Sequence, residues 1–119
     1  MKRDMDLARQ ILQQIEEKSE GLKRVTLDLP DHAPEEIHYH LKLLKEAGLI
    51  EAVDCTTGAG LCFIPIRLTW QGNEFLDAIK NETVWNKVKG TVKEKGGAIP
   101  FEILKALAMQ AAKSVFGIG

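Results

Sequence analysis

Apolar residues in this chain recur at helical spacing near both ends and alternate with polar ones in the middle, and the two periods divide it into elements. Asp4 to Lys18 reads as an amphipathic helix: Met5, Ala8, Ile11, Leu12 and Ile15 share a face, Asp4 and Asp6 suit its positive N-terminal end, and Ser19-Glu20-Gly21 ends it. In Leu22 to Leu29, Val25, Leu27 and Leu29 alternate with Thr26 and Asp28, which predicts a short strand able to pair with a later hairpin. Pro30 to Pro34 is a loop. A second helix follows over 35–47, with Ile37, Leu41 and Leu44 as the core stripe, flanked by His40 and Ala47. Asp31 or His32 is the expected cap, Pro34 fits the first turn, and Gly48 closes the helix so that Leu49 packs back on it.

Beyond Gly48 the pattern becomes that of a hairpin. Ile50 and Val53 interleave with Glu51 and Asp54, Thr56 to Gly60 turns the chain, and Leu61 to Leu68 returns, with Pro65 confined to an edge or a bulge. Thr69 is the expected N-cap of a third helix that buries Phe75, Leu76 and Ile79. Val84, Trp85, Val88 and Val92 mark a fourth helix, stopped by Gly96-Gly97. Pro100 opens a fifth, whose stripe is Ile103, Leu104, Leu107, Ala108, Ala111 and Val115. Helix 35–47, hairpin and capped helix outline the recognition helix and wing of a winged helix-turn-helix. The predicted fold is therefore α+β, mainly α: a winged helix-turn-helix with a short β-hairpin wing and extra C-terminal helices. It is one domain over 1–119, with a core over 1–82 and a helical extension over 83–119 whose last helix is broadly apolar and suited either to docking on the first helix of its own domain or to homodimerisation. Residues 19 to 34 hold no support helix, so helix 35–47 is either the reading element of an abbreviated motif or part of the scaffold.

Charge changes this picture. The 119 residues are 45% hydrophobic and 28% charged, the formal net charge is -1 and the pI is about 6.3, which argues against strong nonspecific affinity for nucleic acid. Asp4 and Asp6 interrupt the start of the chain, so no secretory leader is read, and a cytoplasmic location without membrane association is expected. Cys55 and Cys62 flank the hairpin turn. In a cytosolic protein they are expected to stay reduced, as two small apolar side chains, with an oxidation-sensitive pair across the hairpin as the alternative. No metal site is expected, since structural zinc takes four converging ligands and His32, His38 and His40 do not supply them at such spacing. No cofactor is expected either. The chain shows no nucleophile-base pair, and Gly58 and Gly60 lack the following helix of a phosphate cradle, so an enzyme is not expected.

The opening Met1-Lys2-Arg3-Asp4-Met5-Asp6-Leu7, the Tyr39 to Leu44 segment ending in Ala47-Gly48-Leu49-Ile50, the Arg67 to Gly72 segment and the stretch from Phe75 to Trp85 together resemble a bacterial and prophage family catalogued as a domain of unknown function. The likeness covers nearly the whole chain. Leu41 to Ile50 and Leu68 to Leu76 also look like the recognition-helix end and wing exit of winged-helix transcription regulators. The resemblance implies a winged-helix fold and a phage or mobile-element setting. Asn73 stands where that family usually has His, and Asp54 to Gly60 holds no Lys or Arg, which departs from wings that enter a minor groove.

Two functions fit these readings. As a DNA-binding regulator the protein would place helix 35–47 in a major groove of double-stranded DNA, with His38, Tyr39 and Lys42 toward base edges and Lys45, Arg67, Lys87 and Lys89 toward phosphates. As a protein-interaction module, a phage-encoded adaptor or inhibitor of a host protein, it would use Tyr39, Leu43 and His38 as anchors. A continuous positive face favours the first, and interleaved charge the second.

Overall fold

The computed structural model describes residues 1–117, so Ile118 and Gly119 at the end of the expected extension lie outside the described residues. Five helices and one two-stranded antiparallel sheet follow one another in these residues: α1 (Met5–Lys18), α2 (Pro34–Glu46), β1 (Ile50–Asp54), β2 (Phe63–Leu68), α3 (Trp70–Ile79), α4 (Glu82–Glu94) and α5 (Phe101–Val115). The fold is α+β and mainly helical. The chain forms two compact units, Met1–Asn73 and the part from Glu74 onward, and the division falls inside α3. None of the described helices is long and apolar enough to cross a membrane.

In the first unit α1 starts where Asp4 caps it, its Oδ1 accepting the Leu7 N–H at 3.1 Å. Leu7, Ile11, Leu12 and Ile15 are fully buried, so the core stripe includes Leu7, whereas Met5 is half-buried. α1 packs against α2 and β2.

The expected strand over Leu22 to Leu29 does not form. Its backbone is extended, and one ladder-like bond joins it to the hairpin, from Val25 N–H to the Pro65 carbonyl at 2.8 Å. Pro65 has no N–H to return, so the ladder cannot continue there. Side chains of α1 hold the segment instead. Gln14 donates to the Asp28 carbonyl and accepts from the Asp28 N–H, both at 2.8 Å, and Lys18 donates to the Thr26 carbonyl at 3.0 Å. No helix lies between α1 and α2, as the absence of a periodic stretch there predicts.

α2 begins with Pro34 in its first turn, but Ala33 occupies the cap position and no side chain bonds there; neither Asp31 nor His32 caps it. His32 bonds Glu36 instead, at 2.6 Å. The buried face is His40, Leu41 and Leu44; Ile37 is half-buried and Ala47 exposed. His40, only 2% exposed, accepts the Asp4 N–H at Nε2 and donates from Nδ1 to the Glu36 carbonyl, both at 2.8 Å. One partner can only donate and the other only accept, so the ring is neutral with its proton on Nδ1.

The close of α2 is a double bond pattern, Gly48 N–H to Lys45 carbonyl and Leu49 N–H to Leu44 carbonyl, each at 3.0 Å, with Gly48 at φ 76°. β1 and β2 then pair antiparallel, Ile50 opposite Leu68 and Asp54 opposite Phe63. The register slips between Glu51 and Ala52, which leaves Ile66 as the bulged residue beside Pro65, one of the two places a proline is tolerated. Two bonds join the exit of the hairpin to the end of α2, Thr69 N–H to Leu49 carbonyl (2.9 Å) and Thr69 hydroxyl to Gly48 carbonyl (2.6 Å), and Gly72 N–H donates to Thr69 Oγ1 (3.0 Å), the expected N-cap of α3. A Cβ on Gly72 would stand 1.9 Å from the Leu49 carbonyl oxygen, so a glycine is required there.

In the second unit Phe75, Leu76 and Ile79 are buried as predicted. Asn81 caps α4 by accepting from Thr83 and Val84 N–H. α4 buries Val84, Trp85 and Val88 and packs on α5. The face of α5 that is buried is Leu104, Ala108 and Ala112, with Phe101 edge-on to Phe75 at 5.3 Å, whereas Ile103 is 52% exposed. The predicted stripe was too wide toward Ile103. Leu107 and Ile103 carry the apolar pattern on beyond the buried face on that side, so the sequence of α5 does not mark where the contact ends.

Candidate binding surface

α2 turns Lys42 and Lys45 to solvent and leaves Tyr39 half-buried with its ring edge-on to His40 at 5.5 Å. Lys42 pairs loosely with Glu46 at 3.9 Å. His38 does not point away as a reading residue would. Its Nδ1 accepts the Phe63 N–H at 3.0 Å, which fastens the middle of α2 to the start of β2 and leaves Nε2–H as its one remaining donor. His38 also lines a groove of about 420 Å³ floored by Val25, Ile37, Leu41, Phe63 and Pro65. It braces the hairpin.

Arg67 is likewise engaged. Its guanidinium grips Glu51 across the hairpin in a two-point contact, Nε to Oε2 at 2.8 Å and Nη2 to Oε1 at 2.6 Å, and a third N–H reaches the Leu68 carbonyl at 3.0 Å. Three of its five N–H donors are thereby committed to protein acceptors. Asp54 adds negative charge to the same side. The Thr56 backbone N–H, at 2.9 Å, and then the Thr56 side chain hold its carboxyl below its ordinary value, against an opposing effect of desolvation, and Lys45 and Lys42 add lesser lowering. The two lysines of α2 therefore stand in the field of a hairpin carboxylate.

Cys55 and Cys62, expected to be reduced, are joined in a disulfide. The Cys55 N–H bonds the Cys62 carbonyl at 2.8 Å and brings the Cα atoms to 4.8 Å, inside the range a disulfide spans. The loop between them is held from within: Thr56 Oγ1 accepts the Cys62 N–H at 3.1 Å, and Thr57 and Gly60 pair.

Lys87 and Lys89 belong to the second unit. Both are exposed; Lys89 lies over the Trp85 ring at 6.0 Å, and Lys87 borders a shallow pocket with Val88, Thr91 and Leu107.

Residues 2–98 match the family model described as "Hypothetical protein (DUF2513)". The chain belongs to this family. A relative described as "Uncharacterized protein", from Haemophilus influenzae (strain ATCC 51907 / DSM 11121 / KW20 / Rd), is 45% identical over 112 residues, covering 91% of this chain and 92% of the relative. No solved structure gives a significant match.

On this DUF2513 chain the residue that sequence reasoning passed over is Trp70. It is 76% exposed, although tryptophan normally hides most of its surface. Its neighbours explain the exposure: Thr69 is tied to the close of α2 and Gly72 sits on the Leu49 carbonyl, so the first residue of α3 is turned outward. The available signal was the Thr69 cap, because a residue directly after a cap begins the first turn, before the helix has committed a face to the core. Val53, 52% exposed, adds apolar surface on β1.

Proposed function

We propose that the protein is a binding module without catalysis, built on a winged-helix scaffold, and that it docks on another protein through Trp70. The observation that carries this reading is the indole of Trp70, 76% exposed, in a unit where Arg67 pairs with Glu51 and Lys42 with Glu46. An exposed tryptophan with a rim of mixed charge is the composition of a protein-protein hot spot. Phosphate binding instead needs uncommitted cations on one face, and a net positive field that this chain lacks. A host protein met by a phage or mobile-element product is the setting that the family resemblance suits.

The second reading is sequence-specific DNA binding, favoured by Lys42 and Lys45 on the outward side of a helix that is followed by a hairpin. In that case Tyr39, Lys42 and Lys45 form the contact set, without His38 and Arg67. One paired experiment separates the two. Partners crosslinked in cells are quantified for wild type, Trp70→Glu and Lys42→Glu/Lys45→Glu, and the same proteins are taken through selection from a random duplex pool at low salt. Loss of one reproducible protein partner with Trp70→Glu, and no duplex enrichment, supports docking. Enrichment of a defined duplex that is lost with the lysine pair and kept with Trp70→Glu replaces it with DNA reading.

A further inference from the structure

The geometry points to a divalent transition-metal site of the zinc type at Asp4, His32 and Glu36. It stands apart from the binding-module reading and does not depend on it. One ligand atom from each of the three side chains lies within 4.8 Å of the other two, and all three residues are half-buried. A tetrahedral site with bonds of about 2.0–2.1 Å has its donors about 3.3 Å apart, so the widest edge of the cluster closes by up to about 1.5 Å around the ion. One edge is already short, His32 Nδ1 to Glu36 Oε1 at 2.6 Å, and would open slightly around the ion.

The arrangement draws on three places in the chain. His32 lies in the loop before α2 and Glu36 in its first turn, and the 2.6 Å contact between Nδ1 and Oε1 brings the two side chains together. Asp4 comes from the opposite end of the unit and is brought in by His40, whose buried Nε2 takes the Asp4 backbone N–H while Nδ1 bonds the backbone of Glu36 itself. One imidazole thus fixes the spacing of two ligands through their main chains. Asp4 spends Oδ1 on its cap bond to Leu7 and keeps its other carboxylate oxygen for the ion. Two carboxylates and one imidazole offer charge to a dication, and the nitrogen donor favours zinc, cobalt, iron or manganese over magnesium or calcium, which prefer oxygen alone. Three protein ligands leave a coordination position for water or an exogenous group.

The test uses the untagged full chain with the Cys55–Cys62 disulfide intact, so that thiolates do not compete. Cobalt(II) is titrated and followed by its visible absorption, and zinc by calorimetry. The expected result is saturation at one equivalent per chain, with affinity falling about tenfold or more in each of Asp4→Asn, His32→Gln and Glu36→Gln, and unchanged in His38→Ala. Asparagine caps helices as well as aspartate, so Asp4→Asn keeps α1 started and reports on the ligand alone. Absence of saturable uptake in the wild type up to about 100 μM metal, a Kd too weak for a built site, overturns the assignment. So does binding that the three variants leave unchanged, or that His38→Ala abolishes.

Discussion

The junction where α2, the hairpin and α3 meet and the pairing of α4 with α5 are held by different forces, and they differ in how easily they are read. At the junction, backbone groups and one hydroxyl do the holding: Gly48 takes a left-handed turn, Thr69 bonds two carbonyls and caps α3, and Gly72 leaves room for the Leu49 oxygen. Each of these roles demands one residue type, so each is visible as a letter in the sequence. Between α4 and α5 the contact is apolar, around Trp85, Val88, Leu104 and Ala108. Many side chains satisfy an apolar contact, and the face chosen is correspondingly harder to read.

Mutations sharpen this contrast, and the largest effect is expected where apolar volume is greatest. Trp85→Ala removes a side chain 1% exposed and should cost about 3–5 kcal/mol in urea unfolding. Hydrogen exchange on the same variant should lose protection over residues 82–115 first; equal loss along the whole chain would erase the distinction between the two regions. Gly72→Ala comes next, at about 3 kcal/mol, because a methyl group meets a backbone oxygen that no rotamer change can move aside. A near-neutral result would show that the start of α3 can slide away from Leu49.

Thr69→Val keeps the shape and removes both hydroxyl bonds, so about 1–2 kcal/mol is expected, with faster exchange at Gly72 N–H. The smallest effect belongs to Asp54, which is exposed. Its carboxyl is held below its ordinary value in the folded chain, so its contribution is complete above the ordinary carboxylate range and fades as pH falls through the lowered one. Asp54→Asn keeps an acceptor for Thr56 N–H and should flatten slightly the loss of stability measured as the solution is acidified; an unchanged slope would mean that the turn does not sense this charge.

The candidate surface was harder to read than the fold. Lys42 and Lys45 are outward as helical phase predicts, because phase alone places them. Helical phase puts His38 on the shoulder of the same face and the hairpin offers Arg67, yet each is taken by a partner distant in sequence, Phe63 and Glu51, which only folding brings near. Self-association through α5 also looks different in three dimensions. Met109 and Phe116 are exposed on one side of the helix, while Ile103 lies about 120° around it, so no single exposed stripe remains.

By itself the sequence determined the helices and the hairpin, the turn at Gly48, the cap at Thr69 and the irregularity at Pro65, since each depends on local backbone stereochemistry that a residue type enforces or forbids. Tertiary structure decided that residues 22–29 would be an extended strap without a ladder, that Trp70 would stand in solvent, and that Asp4 would come near His32 and Glu36. Those outcomes turn on which groups lie opposite one another once the chain has closed, and spacing along the chain does not carry that information.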